Sequence, residues 1–403
     1  MEQTKTTRRA KEHLYEVDLM RAFIILGVLC VHVISFFNLF SSPTTPTRIG
    51  FDVALVALHF TREAFMFITG LVLFIVYYHK PIHALNFWGK RFKLIIIPYL
   101  AFTLIYLLFT GTYLNNFDWA PLHVITTYLV SIATGNQFYL YYLVISMQLY
   151  ILFPLFVPLM RKLEKYHGWV FLISFVLEVV FMWINQTYLE TMNISHLPGW
   201  LGTLIFYRDR NILTYQFWFV SGAIVAAHYQ QIKAFFNSRP WLVYGGFAIM
   251  LILLWTNQAI DRTVFHADEN MLVLVLQPIM IPYSLVVTLT LWKLGSKWAN
   301  ARLKPHIQWF SSFVKVAAAA SFGVFLIHPI ILHYLELFVY SLHTSNAERL
   351  LMLPFAILFV YGVSILLARI IAHIPYLSYI VGQKTEKKGW VIGHTRTSVS
   401  ETH

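Results

Sequence analysis

Residues 350–372 read LLMLPFAILFVYGVSILLARIIA, and this stretch decides the fold class of the chain. It holds one charged side chain, Arg369, and about 20 mainly apolar residues suffice for a helix to cross the hydrocarbon core of a bilayer. Similar runs recur along the chain. They predict ten transmembrane helices, near 15–38, 53–78, 94–113, 137–160, 169–187, 212–229, 241–258, 271–292, 317–340 and 350–372. The predicted fold is an all-α, polytopic integral membrane helical bundle.

The composition is typical of a membrane protein. Apolar residues make up 58% of the chain and charged residues 12%, whereas soluble domains carry roughly 45–50% and about 25%. The formal net charge is +12, but the basic residues form short clusters between apolar runs rather than one patch, which excludes a nucleic-acid-binding protein. Cys30 is the single cysteine, so no internal disulfide is possible.

The distribution of basic residues predicts the orientation in the membrane. Alternate loops, together with the two ends of the chain, hold 22 of the 30 Lys and Arg residues. Positive residues prefer the cytoplasmic side, so both termini are predicted to be cytoplasmic. We therefore expect a cytoplasmic segment 1–14, a transmembrane domain 15–375 and a cytoplasmic tail 376–403.

Charged side chains inside spans are costly, so each is a candidate functional residue. In the first span, Arg21 and His32 are eleven residues apart, which places them on nearly the same helix face, about 16 Å apart. Asp18, three residues before Arg21, leaves open a simple ion pair at the interface. A lone histidine such as His32 also occurs as a structural, hydrogen-bonded core residue.

The second span carries His59, Arg62 and Glu63 on one face, at about the depth of His32. Glu63 is thereby expected to orient and charge-stabilise His32 or His59, as carboxylates do for catalytic imidazoles. The alternative is a local pair in which Arg62 and Glu63 neutralise each other.

Two further features lie at the third and ninth spans. Arg91 and Lys93 lie at the cytoplasmic end of the third span. Either they only orient the span, as positive residues do on the cytoplasmic side, or they bind the phosphates of a coenzyme A thioester. In the ninth span, His328 precedes Pro329. Proline predicts a bend there, with one backbone carbonyl freed from its helix hydrogen bond. Such a bend either lines a site or is merely structural. The histidines are scattered over several spans, so no metal site is expected.

Five segments in this order resemble the membrane acyltransferase-3 family, which moves acyl groups onto glycans and other acceptors at the bacterial envelope. They are DLMRAFIILGVLCVHV (18–33), REAFMFITG (62–70), KRFKLIIIPYL (90–100), FYLYYLVISMQLYILFPLF (138–156) and SFGVFLIHPIIL (321–332). The first segment resembles a family motif in which an arginine is followed, after ten intervening residues, by a histidine. These two positions are Arg21 and His32 here. Glu63 falls on the acidic position of the second segment, while Thr69 stands where Ser is usual.

The other segments add positions to this resemblance. Arg91 and Lys93 match the family's basic segment, Tyr142 stands where Trp is common, and His328 matches the histidine of the late span. The segments RFKLIIIPY, FLIHPIIL and YIVGQK (379–384) are most similar to the intercellular-adhesion polysaccharide acyltransferase and export subgroup.

The resemblance implies O-acyl transfer at the bacterial cell membrane. The donor would be a cytoplasmic acyl-CoA-type thioester carrying acetyl or succinyl, used as a co-substrate with no bound cofactor, and the acceptor a hydroxyl of a cell-surface polysaccharide or glycan. Expected partners are membrane lipid, the glycan and a polysaccharide synthase, with no nucleic acid. The rival interpretation is an exporter or flippase of the polysaccharide, since buried charges also suit a translocation path.

The depth of the candidate residues in the membrane and the resemblance together imply a role for each of them. His32 would act as general base with Glu63 orienting it, and Arg21 is the third expected catalytic residue. His328 or Arg62 would stabilise the oxyanion. The remaining expected substrate- or donor-binding residues are Arg91, Lys93, His59 and Tyr142.

Overall fold

The computed structural model describes residues 13–42, 44–114, 116–342 and 345–383. Within these ranges the regular structure is helical, and no strand occurs. The α-helices are Tyr15–Asn38 (α1), Pro46–Leu58 (α2), Thr61–Tyr77 (α3), Ala84–Tyr113 (α4), Pro121–Thr134 (α5), Tyr141–Lys162 (α6), His167–Ile184 (α7), Gly199–Phe206 (α8), Gln216–Ala227 (α9), Tyr229–Ser238 (α10), Pro240–Thr263 (α11), Glu269–Leu272 (α12), Met280–Ala301 (α13), Gln308–Ser341 (α14) and Asn346–His373 (α15).

The predicted fold class is confirmed. Eight helical stretches of the described chain are long and apolar enough to cross a bilayer: Tyr15–Asn38, Pro46–Tyr77, Ala84–Tyr113, Tyr141–Lys162, Glu164–Leu189, Pro240–Thr263, Pro305–Ser341 and Asn346–His373. Each coincides with one of the ten predicted spans. The protein is therefore a polytopic helical membrane protein.

The other two predicted spans correspond to shorter or more polar helices. The prediction near 212–229 coincides with the short apolar stretch Ile212–Ala227. The prediction near 271–292 is shifted, because α13 begins only at Met280 and extends to Ala301. Pro282 stands in the first turn of α13, where a missing N–H leaves no helix hydrogen bond unmade. The total of ten spans and the sidedness of the termini remain predictions, and residues 1–12 and 384–403 lie outside the described ranges.

One apolar helix, α5, lies in a stretch that the sequence did not mark as a span. It is 14 residues long, too short to cross a bilayer unaided. The Tyr99 hydroxyl of α4 donates to the Ile132 carbonyl at 2.6 Å, and the Tyr128 hydroxyl of α5 donates back to the Leu100 carbonyl at 3.1 Å. These reciprocal bonds hold α5 along the side of α4.

The first helix, α1, occupies the centre of the bundle. It packs against α2, α3, α13, α14 and α15, so elements from both ends of the chain meet on it. The Tyr361 hydroxyl of α15 donates to the Ala22 carbonyl of α1 at 3.0 Å. Any site that α1 lines is therefore built from residues that are far apart in sequence.

Helices α3 and α9 pack with their backbones in direct contact. A Cβ atom added at Gly70 would lie 2.3 Å from the Phe219 carbonyl oxygen, and one added at Gly222 would lie 2.2 Å from the Phe67 carbonyl oxygen. Small residues permit such close approach between membrane helices. The two glycines set the position of α3 in the bundle.

The predicted second span is interrupted at His59 and Phe60, between α2 and α3. The Tyr283 hydroxyl of α13 donates to the Ala57 carbonyl at 2.7 Å. A backbone carbonyl left without a donor in hydrocarbon is costly, so this hydroxyl stabilises the break.

The predicted bend at Pro329 does not break the ninth span, because α14 continues through it as one helix. Since Pro329 lacks an N–H, the preceding turn depends on other donors. The Tyr106 hydroxyl of α4 donates to the Leu326 carbonyl in this turn. His328 is fully buried at the same level.

Candidate functional site

The first candidate site is a cavity of about 370 Å³ that begins beside Arg21, which we call the arginine cavity. Helices α1, α3, α4, α6 and α14 supply most of its wall. The segment after α15 supplies the rest through Val381, Gly382 and Gln383. Its polar and charged lining consists of Arg21, Thr69, Arg91, Tyr142, Ser146, Tyr150, Ser321 and Gln383.

The arginine cavity carries positive charge that no carboxylate in its described lining neutralises. Arg21 and Arg91 both line it, and no Asp or Glu does. Asp18, which the sequence offered as a partner for Arg21, does not line the cavity: its carboxylate hydrogen-bonds with the His13 ring at 2.6 Å and lies close enough to Arg21 for their charges to interact. Two guanidinium groups facing a cavity suit an anionic ligand, since guanidinium can bind phosphate and carboxylate in a bidentate manner.

The segment after α15 is fitted tightly against the arginine cavity. Gly382 has φ = +68°, a conformation that favours glycine. A Cβ atom there would also lie 2.5 Å from the Phe322 ring. The Gln383 side-chain amide donates to the Ala319 carbonyl at 2.9 Å, which fixes the segment to α14.

Arg91 and Lys93, predicted together as a phosphate clamp, occupy different environments. Arg91 is half-buried and lines the arginine cavity, whereas Lys93 is exposed and does not line it. The two residues are two positions apart on a helix, so their side chains point to different sides of α4.

The second candidate site is a cavity of about 360 Å³ beside His32, which we call the histidine cavity. It brings together His32 of α1, His59 of the α2–α3 break and Arg62 of α3, as the sequence predicted. Its other lining residues are Val28, Val31, Thr61, Phe65, Phe138, Tyr139, Tyr141, Tyr142, Asp209, Arg210 and Phe325.

The His32 imidazole lies within a stack of three rings. Its centroid is 3.7 Å from that of Tyr139 and 5.3 Å from that of His328, with interplanar angles of 20° and 18°. No hydrogen bond to the His32 ring occurs within the described ranges. The stack thus holds the ring in a defined plane and leaves its nitrogens available.

The hydrogen bonding of His328 fixes its tautomer. Its Nδ1 lies 3.1 Å from the Val324 carbonyl oxygen. A carbonyl only accepts, so Nδ1 carries the proton and, in the neutral ring, Nε2 carries a lone pair. This Nε2 is buried and has no partner among the described residues.

Arg62 presents a guanidinium to the histidine cavity without a carboxylate partner. No ion pair of Arg62 occurs within the described ranges, but the Glu63 carboxylate lies close enough for the two charges to interact. Its hydrogen bond is a long one, 3.4 Å, to the Tyr215 hydroxyl, and the Tyr141 ring centroid lies 5.8 Å away. A fixed cation with unused donors can stabilise an oxyanion.

His59 lines the same cavity. Its ring interacts with the Val273 backbone, and its Nδ1 has no partner in the described structure. His59 is therefore held from one side and offers one ring nitrogen to a ligand.

Glu63 is placed differently from the other charged residues of the second span. It is completely buried, with 0% of its surface exposed, and it does not line the histidine cavity. Neither of its oxygens has a hydrogen-bond partner in the described ranges, so no bond to His32 or His59 is formed. The carboxylate lies close enough to Glu178 of α7 for their charges to interact.

The sequence left several polar residues of the histidine cavity unassigned, among them Tyr139, Tyr141, Asp209 and Arg210. The Asp209 carboxylate lies 3.7 Å from the Arg210 side chain, which also donates to the Thr134 carbonyl. The available signal was the cluster RDR (208–210) within an otherwise weakly charged loop.

The two cavities share three lining residues: Phe65, Tyr142 and Phe325. They come from α3, α6 and α14. We call these three side chains the aromatic partition.

Among the described residues, no group of three or more His, Cys, Asp or Glu side chains is arranged to hold a metal ion. The charged groups of both cavities instead suit polar organic substrates, above all those with phosphate or carboxylate groups. The bundle and its two internal cavities thus define a membrane protein that handles polar ligands within the bilayer.

Comparison with known proteins identifies the class of reaction. A family model described as an acyltransferase domain, that of the acyltransferase-3 family, matches residues 14–369. The chain belongs to this family and is a membrane acyltransferase that transfers groups other than aminoacyl groups. No curated protein and no solved structure matches it.

Proposed function

We propose that this protein transfers an acyl group from a cytoplasmic acyl-CoA-type thioester to a hydroxyl of a cell-surface polysaccharide in a bacterial cell membrane. The observation that carries the proposal is the pair of cavities along α1, one lined by Arg21 and the other by His32. Acetyl or succinyl is the proposed group. Membrane lipid and a polysaccharide synthase are proposed as neighbours of the domain 15–375.

In this proposal the arginine cavity holds the donor. Arg21 and Arg91 supply two guanidinium groups with no competing carboxylate in the described lining. Phosphate oxygens bind such groups through charge-assisted hydrogen bonds. Basic residues favour the cytoplasmic side, where acyl thioesters are made, and this supports placing the arginine cavity there.

The proposed chemistry takes place in the histidine cavity. His32 accepts the proton of the acceptor hydroxyl as the hydroxyl oxygen forms a bond to the thioester carbonyl carbon. The tetrahedral intermediate then collapses, the carbon–sulfur bond breaks, and the proton moves from His32 to the leaving thiolate. The products are an ester and a free thiol, and no other reactant is needed.

Between the two residues predicted to stabilise the oxyanion, the geometry favours Arg62. His328 donates its Nδ1 proton to the Val324 carbonyl, so its Nε2 has no proton to offer when the ring is neutral. Arg62 is always protonated and has donors free of any carboxylate. His328 then serves to hold the plane of His32.

The test of the proposal compares cells that have the protein with cells that lack it. We expect surface polysaccharide to remain in similar quantity after gene deletion while its acyl esters disappear. Both are measured on extracted polysaccharide, as sugar content and as ester released by mild alkali. Loss of surface polysaccharide with unchanged ester per sugar would refute acyl transfer to it and support the exporter.

Replacing either cavity arginine is expected to weaken donor binding. Hydrogen bonds to charged groups contribute about 1.5–3 kcal/mol each, so Arg21→Gln or Arg91→Gln should raise the KM for the acyl-CoA donor roughly 10- to 100-fold. The KM is measured in membrane vesicles with acetyl-CoA as donor. Lys90→Gln is the matched control, because Lys90 lies in the same basic cluster, is exposed and lines neither cavity.

An equal change in KM for Lys90→Gln and Arg91→Gln would contradict this assignment. It would show that the cluster acts through its overall charge and not through contacts inside the arginine cavity.

A further inference from the structure

We infer that the aromatic partition selects the donor by the size of its acyl group, admitting short groups to His32 and holding back long chains. The inference rests on the proposed function and adds a specificity element to it. The partition consists of Phe65, Tyr142 and Phe325, the three residues that line both cavities.

The three rings form one continuous layer. The Tyr142 ring centroid lies 5.8 Å from that of Phe65 and 5.7 Å from that of Phe325. These are ordinary contact distances for aromatic pairs. All three side chains are half-buried, because they face open space on both sides.

The position of the layer makes it a constraint on the reaction. Arg21 and His32 are eleven residues apart on α1, which corresponds to about 16 Å along a helix. A donor whose phosphates bind Arg21 reacts at His32 only if its acyl end passes the rings. The acyl group is the leading end of the thioester, so its bulk decides whether it passes.

The three rings differ in how they are held. Tyr142 lies beside the hydroxyl groups of Thr69 and Ser146, which anchor its polar end. Phe65 and Phe325 have no polar atoms and are held by packing alone. The gap is therefore expected to widen most when either phenylalanine is shortened.

The partition also touches the proposed catalytic stack. The Phe325 ring centroid lies 6.3 Å from that of His328, which in turn stacks on His32. An acyl chain too bulky for the gap would therefore press Phe325 towards His328. Long chains are disfavoured both by the opening and by this contact.

The experiment is a competition between short and long donors. Inverted membrane vesicles from expressing cells, which retain the native acceptor, receive equal amounts of acetyl-CoA and hexanoyl-CoA. Esters on the polysaccharide are released by mild alkali, and the ratio of hexanoate to acetate is measured. Phe65→Ala and Phe325→Ala are each expected to raise this ratio about 10-fold or more over the unchanged protein, a factor typical of pockets that discriminate by methylene groups.

Phe322→Ala is the matched control, because Phe322 lies on α14 and lines the arginine cavity but not the histidine cavity. The hexanoate-to-acetate ratio of Phe322→Ala should stay within about twofold of that of the unchanged protein. This is less than the change in selectivity that a single methylene group causes in a binding pocket. The milder Phe65→Leu and Phe325→Leu replace any alanine variant that does not accumulate in the membrane. These should raise the ratio in the same direction.

The outcomes separate the two proposals. If acetyl transfer continues and the ratio is the same in all variants, the partition does not select acyl size and the inference is wrong. If Phe322→Ala raises the ratio as much as Phe325→Ala, general loosening of the cavity is the cause and the inference is again wrong. If the unchanged protein transfers neither group to the polysaccharide, the proposed function fails and the inference falls with it.

Discussion

His32→Ala is expected to lower acyl ester per sugar on the surface polysaccharide by about 10²–10⁴-fold, the usual contribution of a general base. The amount of polysaccharide should not change. His32 lines the histidine cavity beside the nearly parallel rings of Tyr139 and His328, and no described residue hydrogen-bonds to it. The measurement is ester content per sugar at matched amounts of protein in the membrane.

His333→Ala is the control for this variant. His333 lies on α14, stacks on Tyr113 at a centroid distance of 4.3 Å and lines neither cavity. We expect ester content close to that of the unchanged protein. Full ester content in His32→Ala would show that another group takes the proton.

Kinetics distinguish a general base from a purely structural residue. Loss of the base should lower kcat with acetyl-CoA and leave the KM for the donor nearly unchanged, because the donor phosphates bind at the other cavity. It should also remove one limb of the pH profile of kcat. A collapsed histidine cavity would raise the KM as well and leave the shape of the profile unaltered.

Gly222→Ala is expected to destabilise the protein by about 3 kcal/mol, at the upper end of the usual cost of overpacking. The added Cβ would lie 2.2 Å from the Phe67 carbonyl oxygen. This atom belongs to the backbone of α3 and cannot move away as a flexible side chain would. Because α3 carries Arg62 and Phe65, its displacement should also lower transfer activity.

The stability change is read from thermal unfolding of the detergent-solubilised protein. Gly362→Ala is the control, since a Cβ at Gly362 in α15 would meet nothing within 4 Å. Alanine there should be neutral or slightly stabilising, because glycine is unfavourable inside helices. Equal melting temperatures for the two variants would mean that α3 and α9 separate without cost.

The parts of the site that lie on one helix could be predicted from sequence. Helical periodicity places Arg21 and His32 on nearly one stripe of α1, and the structure puts each beside a cavity. His59 and Arg62 were predicted to lie together and do line the same cavity. Local geometry was sufficient because each pair is separated by a short helical distance.

Local helical geometry did not predict the position of Glu63. A helical face predicted from spacing includes both Arg62 and Glu63, but adjacent residues differ by about 100° in direction. Arg62 accordingly lines the histidine cavity, while Glu63 is buried outside its lining. The Tyr283 hydroxyl that donates to the Ala57 carbonyl at the break between α2 and α3 is 226 positions away, so this contact is invisible to local patterns.

The arginine and histidine cavities also include residues that no local pattern connects. Asp209 and Arg210 come from a loop between α8 and α9, and Gln383 follows α15. Their positions depend on how distant helices pack, which a single sequence does not reveal.

The central position of α1 has a consequence for biosynthesis. This helix is translated before α14, to which Phe325 and His328 belong. During translation the ring stack on His32 and the aromatic partition stay incomplete until α14 has entered the bilayer. A nascent chain therefore completes neither cavity before α14 has been made, and a product that stops before α14 lacks part of the wall of both.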